Sequence, residues 1–301
     1  MTQSISNQHF AFVAILGAPN AGKSTLMNKI LGDKISIVSP KVQTTRSRIR
    51  GIFIQDNTQL VFVDTPGIFK PSRRLDRAMV ASAWTEADDA DKRLVLIDAT
   101  KGIDKNTERI IKTLTQNKQR AILILNKIDL ITPEKLMPLA NTLGKMPIWQ
   151  EIFYISGKTG KNIPDLIQYL IKTTPKTPWL FPDSEITDMP DRLFAAEVTR
   201  EKLFMNLQDE LPYHLAVETT SYKETNNSIR IEQNIIVERV AHRMIILGKS
   251  GSMIKKIGEL SRKELTRLLG KKVNLFLFVK IKENWGEDPH QYTPWGLDFN
   301  A

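Results

Sequence analysis

An apolar run over residues 10–16, FAFVAIL, leads into Gly17-Ala18-Pro19-Asn20-Ala21-Gly22-Lys23-Ser24 and then into a helix-forming stretch. The octet fits GxxxxGK[ST], and its place between a strand and a helix gives the pattern physical meaning. Glycines let the backbone curl until its N–H groups converge on an anion. The N-terminus of the following helix adds partial positive charge at the same point. Lys23 then sets a cation against the β- and γ-phosphates of a nucleotide, and Ser24 offers a hydroxyl to magnesium. Gly17, Asn20, Ala21, Gly22, Lys23, Ser24 and Thr25 are the candidate phosphate contacts. A chain with this feature must build a strand–loop–helix unit around an interior strand.

The surroundings agree. Apolar runs at 60–63, 93–97, 121–125 and 152–155 are strand-sized and mostly continuous, as in strands buried on both faces of a parallel sheet. Helical stretches at 23–31, 106–116 and 163–172 fall between them. This alternation predicts an α/β domain with a doubly wound, mostly parallel sheet over residues 1–174.

The loops after the strands carry the remaining chemistry. Asn126-Lys127-Ile128-Asp129 follows the strand at 121–125, at the carboxyl end of a sheet where ligands bind. The Asp129 carboxylate can accept hydrogen bonds from both N1–H and the exocyclic amine of guanine, a pair that adenine lacks. Asn126 is expected to brace the loop and the base edge, and the Lys127 stem to cover the base face. Asp64-Thr65-Pro66-Gly67 follows the strand at 60–63. Asp64 there can hold magnesium through water, and the Gly67 N–H can sense the γ-phosphate. Ser156, Gly157 and Lys158 follow the strand at 152–155, with a backbone contact to guanine O6 expected. These features imply GTP or GDP with Mg2+ as ligands. Ile68, directly after Gly67, cannot hydrogen-bond an attacking water, so the catalytic group must come from elsewhere and turnover should be slow.

Residues 174–190 hold Pro175, Pro178, Pro182 and Pro190, which neither a helix nor a central strand accommodates. A linker over 175–192 follows, packed through Trp179, Leu180 and Phe181. Beyond it the order changes: a helix at 193–210, antiparallel strands at 214–222 and 228–240, an apolar run at 244–247, helical pieces at 253–257 and 260–269, and a strand at 272–282. That order predicts a smaller α+β domain over 193–285 and a tail over 286–301. Gly248-Lys249-Ser250-Gly251 matches the GxxG loop of a type II KH domain, which clamps about four nucleotides of single-stranded nucleic acid. Residues 249–272 carry eight Lys or Arg, Lys255, Lys256 and Arg262 among them, against Glu259 and Glu264. That excess suits phosphate contact. Ile246, Met253, Ile254 and Ile257 are candidates for the apolar wall beside the loop.

The order of phosphate loop, DxxG, NKxD and SGK resembles the translation-factor-like GTPases over residues 10–175. Within them, Gln43-Thr44-Thr45-Arg46 resembles the first switch segment of the Era family, as do REKLF at 200–204, ELPYH at 210–214 and IKKIG at 254–258. The resemblance covers almost the whole chain. It implies that Thr45, with Thr44 the neighbouring candidate, is a magnesium ligand, and that Lys23, Thr45, Asp64 and Gly67 serve catalysis. Gly157 departs from the family's usual alanine. In related GTPases with PNxGKS the asparagine ligates potassium, which points to Asn20. The family implies slow GTP hydrolysis, binding to the 3′ end of 16S rRNA, and work in rRNA processing and assembly of the 30S subunit. It also implies a cytoplasmic monomer that visits the inner face of the cell membrane.

The bulk numbers are compatible. A net charge of +10 and a pI near 9.6 fit an anionic partner. The absence of cysteine excludes disulfides and thiolate chemistry. His9, His214, His242 and His290 are scattered, which argues against a histidine metal cluster. Neither a secretory leader nor a membrane span is expected. Two rivals remain: an RNA chaperone in which nucleotide is structural, and a membrane-surface GTPase whose basic helices meet anionic lipid.

Overall fold

A computed structural model describes residues 7–41, 44–46 and 48–301. Gln43 therefore lies outside the described residues. The chain forms two compact units: one of residues 1–36, 45–188 and 300–301, the other of Ile37–Thr44 and Met189–Phe299.

The first unit is built on a six-stranded sheet in the order β2-β3-β1-β4-β5-β6. Its strands are β1 (His9–Gly17), β2 (Ile49–Gln55), β3 (Thr58–Asp64), β4 (Lys92–Asp98), β5 (Ala121–Asn126) and β6 (Trp149–Tyr154). Every pairing is parallel except β2 with β3. Helices α1 (Lys23–Leu31), α2 (Arg74–Asp89), α3 (Lys105–Gln116), α4 (Pro133–Gly144) and α5 (Ile163–Lys172) connect the strands. All seven residues of β3 and all six of β5 are buried, which explains their continuous apolar sequence. β1 lies between β3 and β4, so successive connections leave it in opposite directions and a crevice opens at the strands' carboxyl ends. β1, β3, β4 and β5 end there in Gly17, Asp64, Asp98 and Asn126.

The proline-rich stretch to residue 188 belongs to this unit. Gln59 Oε1 accepts from the Leu180 and Phe181 amides at 3.1 and 3.0 Å, and its Nε2 donates to Phe181 O at 2.8 Å. Trp179 Nε1 donates to Asn57 O at 3.1 Å. Farther along, the Ile52 amide donates to Ile186 O at 2.9 Å.

The second unit runs α6 (Asp191–Asn206), β7 (Leu215–Glu224), β8 (Ser228–Val237), α7 (Val240–Leu247), α8 (Ser252–Leu269) and β9 (Lys272–Ile281). The sheet order is β7-β8-β9, antiparallel then parallel. Residues 253–257 and 260–269 are one helix rather than two pieces. Gly258 sits inside it, buried, where an added Cβ would lie 3.7 Å from Leu277; close packing of helix on strand offsets the roughly 1 kcal/mol helix penalty of glycine. The run at 244–247 is the end of α7. Residues 286–299, expected as a tail, form short 3-10 turns that bury Tyr292, Trp295 and Leu297.

Leu123, in the middle of β5, is fully buried among Leu16, Val95, Ile97 and Leu143. Leu123→Ala is expected to lower unfolding free energy by about 2–5 kcal/mol, read from urea denaturation. A loss below about 1 kcal/mol would show that the site collapses around the deletion.

Candidate functional site

The phosphate loop is shaped by what surrounds it. Gly22 has φ 100°, and a Cβ there would meet Asn126 Nδ2 at 2.5 Å. Glycine is required on both counts. Lys23 begins α1 and is buried; its Nζ donates to Gly17 O and Ala18 O at 3.2 and 3.3 Å. Burial pulls its ammonium down to about 8, against the charge of Asp64.

Three hydroxyls gather on one carboxylate. Asp64 Oδ2 accepts from Ser24 Oγ at 2.6 Å, Ser36 Oγ at 2.7 Å and Thr45 Oγ1 at 3.4 Å. Thr45 Oγ1 is also 3.1 Å from Ser24 Oγ. Burial pushes the Asp64 carboxyl above its ordinary value, while Lys23 and the three hydroxyls work against that rise. Its Oδ1 is buried without a hydrogen-bond partner among the described residues. A spare carboxylate oxygen beside two hydroxyls fits a hard divalent cation. Thr44 is not part of this group: its hydroxyl donates to Lys41 O at 2.8 Å. Of the two threonines, Thr45 is the one placed to ligate.

Asn126 links two loops. Its Nδ2 donates to Ala21 O at 2.8 Å, and its Oδ1 accepts from the Gly157 amide at 2.9 Å. The backbone of Ser156-Gly157-Lys158, expected at guanine O6, thus has its Gly157 N–H bonded to Asn126 in this structure. A Cβ on Gly157 would meet nothing nearer than 3.4 Å, so packing leaves space for the family's alanine. Lys127 has φ 66° and reaches across to Asn20 O at 2.8 Å and Asp98 Oδ2 at 2.6 Å. Burial works to raise Asp98, but hydrogen bonds from Lys127 and Thr100 hold its carboxyl below the usual range. Asp129 is exposed on a short 3-10 turn, open to a ligand. Ser156 is buried and accepts from the Thr159 amide at 3.1 Å, while Lys158 is exposed. Ile68 is fully buried in the core beneath the sheet, and its side chain does not reach the site.

In the second unit, the Gly248–Gly251 loop joins α7 to α8. Ser250 has φ 51° and Gly251 φ 78°, with nothing within 4 Å of a Cβ on Gly251. Its backbone stands open to an incoming strand. Lys249, Ser250, Lys255, Lys256 and Arg262 are exposed. The expected apolar wall is corrected in part. Ile246 and Ile257 are fully buried core residues, whereas Met253 and Ile254 are half-buried and Met244 and Ile245 are 63% and 54% exposed.

A family model described as 50S ribosome-binding GTPase matches residues 12–127, and a KH domain model matches residues 210–286. GTPase Era of Agrobacterium fabrum is 52% identical over 289 residues, spanning 96% of this chain and 91% of that protein. The chain belongs to the Era family of GTPases. GTPase Era of Brucella suis biovar 1 is 50% identical, again over 289 residues, or 96% of this chain and 93% of that one. A crystal structure of Era in complex with MgGDPNP and nucleotides 1506–1542 of 16S ribosomal RNA matches with TM-score 0.90 and 39% identity, covering 96% of this chain and 99% of that one. An Aquifex aeolicus Era variant bound to GDP·AlF4− matches with TM-score 0.90 and 38% identity over 96% of this chain and 99% of that one.

As an Era-family GTPase, the chain hydrolyses GTP. Bound magnesium would be held by Ser24, Thr45 and Asp64, and would offset charge on the phosphates. Lys23, held at the loop by Gly17 O and Ala18 O, would supply the fixed cation beside them. Two participants escaped the sequence reading. Asp98 anchors Lys127, and its signal was present: an acid at the carboxyl end of a buried strand. Ser36 gave none, since a lone serine in a loop has no pattern.

We propose that the exposed Asp129 carboxylate selects guanine by accepting from N1–H and the amine. Asp129→Asn presents an amide donor that matches the C2 carbonyl of xanthine. The variant is expected to lose GDP affinity by tenfold or more, about 1.4 kcal/mol or greater, and to gain for xanthosine diphosphate in competition assays. Unchanged GDP affinity would remove Asp129 from base recognition.

Proposed function

We propose that this GTPase uses its second unit to hold the 3′ end of 16S rRNA and acts in rRNA processing and assembly of the 30S subunit. The observation that carries this reading is the open Gly251 backbone at the head of a basic helix. The solved Era structure with nucleotides 1506–1542 of 16S ribosomal RNA supports the same partner. Placement in the cytoplasm, with visits to the inner membrane surface, belongs to this proposal. Among the described residues no helix is long and apolar enough to cross a membrane.

Nucleotide state is proposed to bias RNA binding through the segment Ile37–Thr44. That segment belongs to the second unit although both its neighbours in sequence, Ser36 and Thr45, belong to the first. Helix α6 holds it there. The Val38 amide donates to Glu201 Oε1 at 2.9 Å, Lys41 Nζ donates to Leu207 O, and Arg200 Nη2 donates to Thr44 O. Arg200 is fully buried and paired with Glu197. Since Thr44 precedes the magnesium-side Thr45, nucleotide that fixes Thr45 restrains the peptide that Arg200 grips. The effect is a population shift whose sign is the same read from either ligand.

Equilibrium binding of a 16S 3′-end RNA, with and without a non-hydrolysable GTP analogue, tests both statements. The wild type is expected to bind more tightly with the analogue. Gly251→Asp, which adds a carboxylate at a strained left-handed position, loses binding by tenfold or more in either state. Arg200→Ala keeps RNA binding but loses its dependence on the analogue. Binding indifferent to RNA sequence and to Gly251→Asp would move the basic face to anionic lipid.

Potassium is proposed at the Asn20 side chain, supplying the positive charge that Ile68 does not recruit. Asn20 holds φ 63° between Pro19 and the residue whose carbonyl Asn126 grips. GTP turnover is expected to be faster in potassium than in sodium, and Asn20→Ala to erase the difference. Equal rates in the wild type would end this reading.

A further inference from the structure

The sheet of the second unit has two unlike faces. Ile231, Ile235, Val273 and Leu275 point to the side that packs into the core with α6 and α8. On the other side, Phe276 and Phe278 of β9 are 40% and 50% exposed. Their neighbours on that face follow from the strand register, which sets Glu232 beside Phe276, Arg230 beside Asn274 and Lys223 beside Arg230. The Arg230 guanidinium lies 4.3 Å from the centre of the Phe276 ring and is steadied by Glu232 at 2.8 Å. Lys272 and Lys280, also exposed, bracket the two rings along the strand. Four cations share this face with Glu232 and Glu218.

β9 is the edge strand of its sheet. Its alternate residues Leu277 and Val279 pack against the same buried cluster as Met253 and Ile254, which directly follow the Gly248–Gly251 loop. One strand therefore borders both the loop side and the phenylalanine side, and nucleic acid leaving the loop can pass around its edge.

We propose that Phe276 and Phe278 are a stacking platform for single-stranded RNA that continues beyond the nucleotides clamped at the Gly248–Gly251 loop. The proposal rests on the reading that this loop binds RNA. Every base has a π face, so aromatic rings on a basic surface bind single strands with little regard to sequence. Residues two apart on a strand stand about 6.6 Å apart, close to twice the roughly 3.4 Å rise between stacked bases. The Arg230 plane extends the platform, since guanidinium groups also stack with bases. Lys272 and Lys280 are placed for the flanking phosphates. Continuity with the loop through β9 favours RNA over lipid as the occupant.

The test uses nested RNAs from the 16S 3′ end, from about four to about twelve nucleotides, spanning the length one KH loop clamps and beyond. Wild-type affinity is expected to rise with length. The double variant Phe276→Ala/Phe278→Ala binds the shortest RNA as the wild type does but the longest about tenfold more weakly. Phe278→Tyr, which keeps the ring, retains the wild-type rise. A double variant that binds every length like the wild type overturns the proposal. So does one that loses binding to phosphatidylglycerol vesicles while its RNA affinities stay intact. Failure of the underlying reading looks different: Gly251→Asp would then bind every length unchanged. Both rings are exposed, so melting temperatures should match and separate lost stacking from lost fold.

Discussion

The two hydrogen bonds of the Asn126 side chain set the spacing of the nucleotide site. One holds the Ala21 carbonyl of the phosphate loop and the other the Gly157 amide after β6. Both are buried, where an unmatched polar group costs about 1–3 kcal/mol. The phosphate and base loops are thereby fixed at one separation before any nucleotide arrives. Gly22 is glycine because Asn126 Nδ2 occupies the space a side chain would need. The Lys127–Asp98 pair repeats the tie one residue on, at 2.6 Å. Preorganisation of this kind lets a flexible triphosphate bind without reshaping its receptor.

Asp64 organises the metal side by a different means. A buried carboxylate that accepts from three hydroxyls is stable but not saturated, since Oδ1 remains unmatched. Thr45 contributes the longest of the three contacts, at 3.4 Å. It is also the first residue of the first unit after a segment that belongs to the second. The longest contact of the metal group thus lies where the chain passes between units, which is where the proposed coupling to nucleotide would need a contact that yields.

The sequence made the nucleotide site legible where chemistry demands fixed residue types at fixed spacing. Asp64 and Asn126 end strands whose unbroken apolar runs marked them as central, and Lys23, Ser24 and Asp129 follow within a few residues of such ends. Elements without that demand were harder to read. β2 pairs antiparallel at an edge and carries Gly51, so its pattern is diluted. α4 begins with one proline and contains another, Pro138, which masks a helix in sequence. The burial of the α6 charges Glu197, Arg200 and Glu201 had no signature in the sequence, because the backbone groups that Glu201 and Arg200 bind, Val38 N–H and Thr44 O, come from a distant segment. Ile246 and Ile257 share a helical spacing with their exposed neighbours, and only the packing shows which of them are covered.

The extended stretch before α6 has a consequence for the first unit's solubility. β2 is the outermost strand of the six-stranded sheet, and its Gly51 bridges to Thr187 while the Ile52 amide donates to Ile186 O. Unpaired strand edges template association between molecules. Residues 186–188 act as a hem sewn along that border. A GTPase fragment cut at residue 174 would leave that border raw, whereas one cut at 188 would carry its own hem.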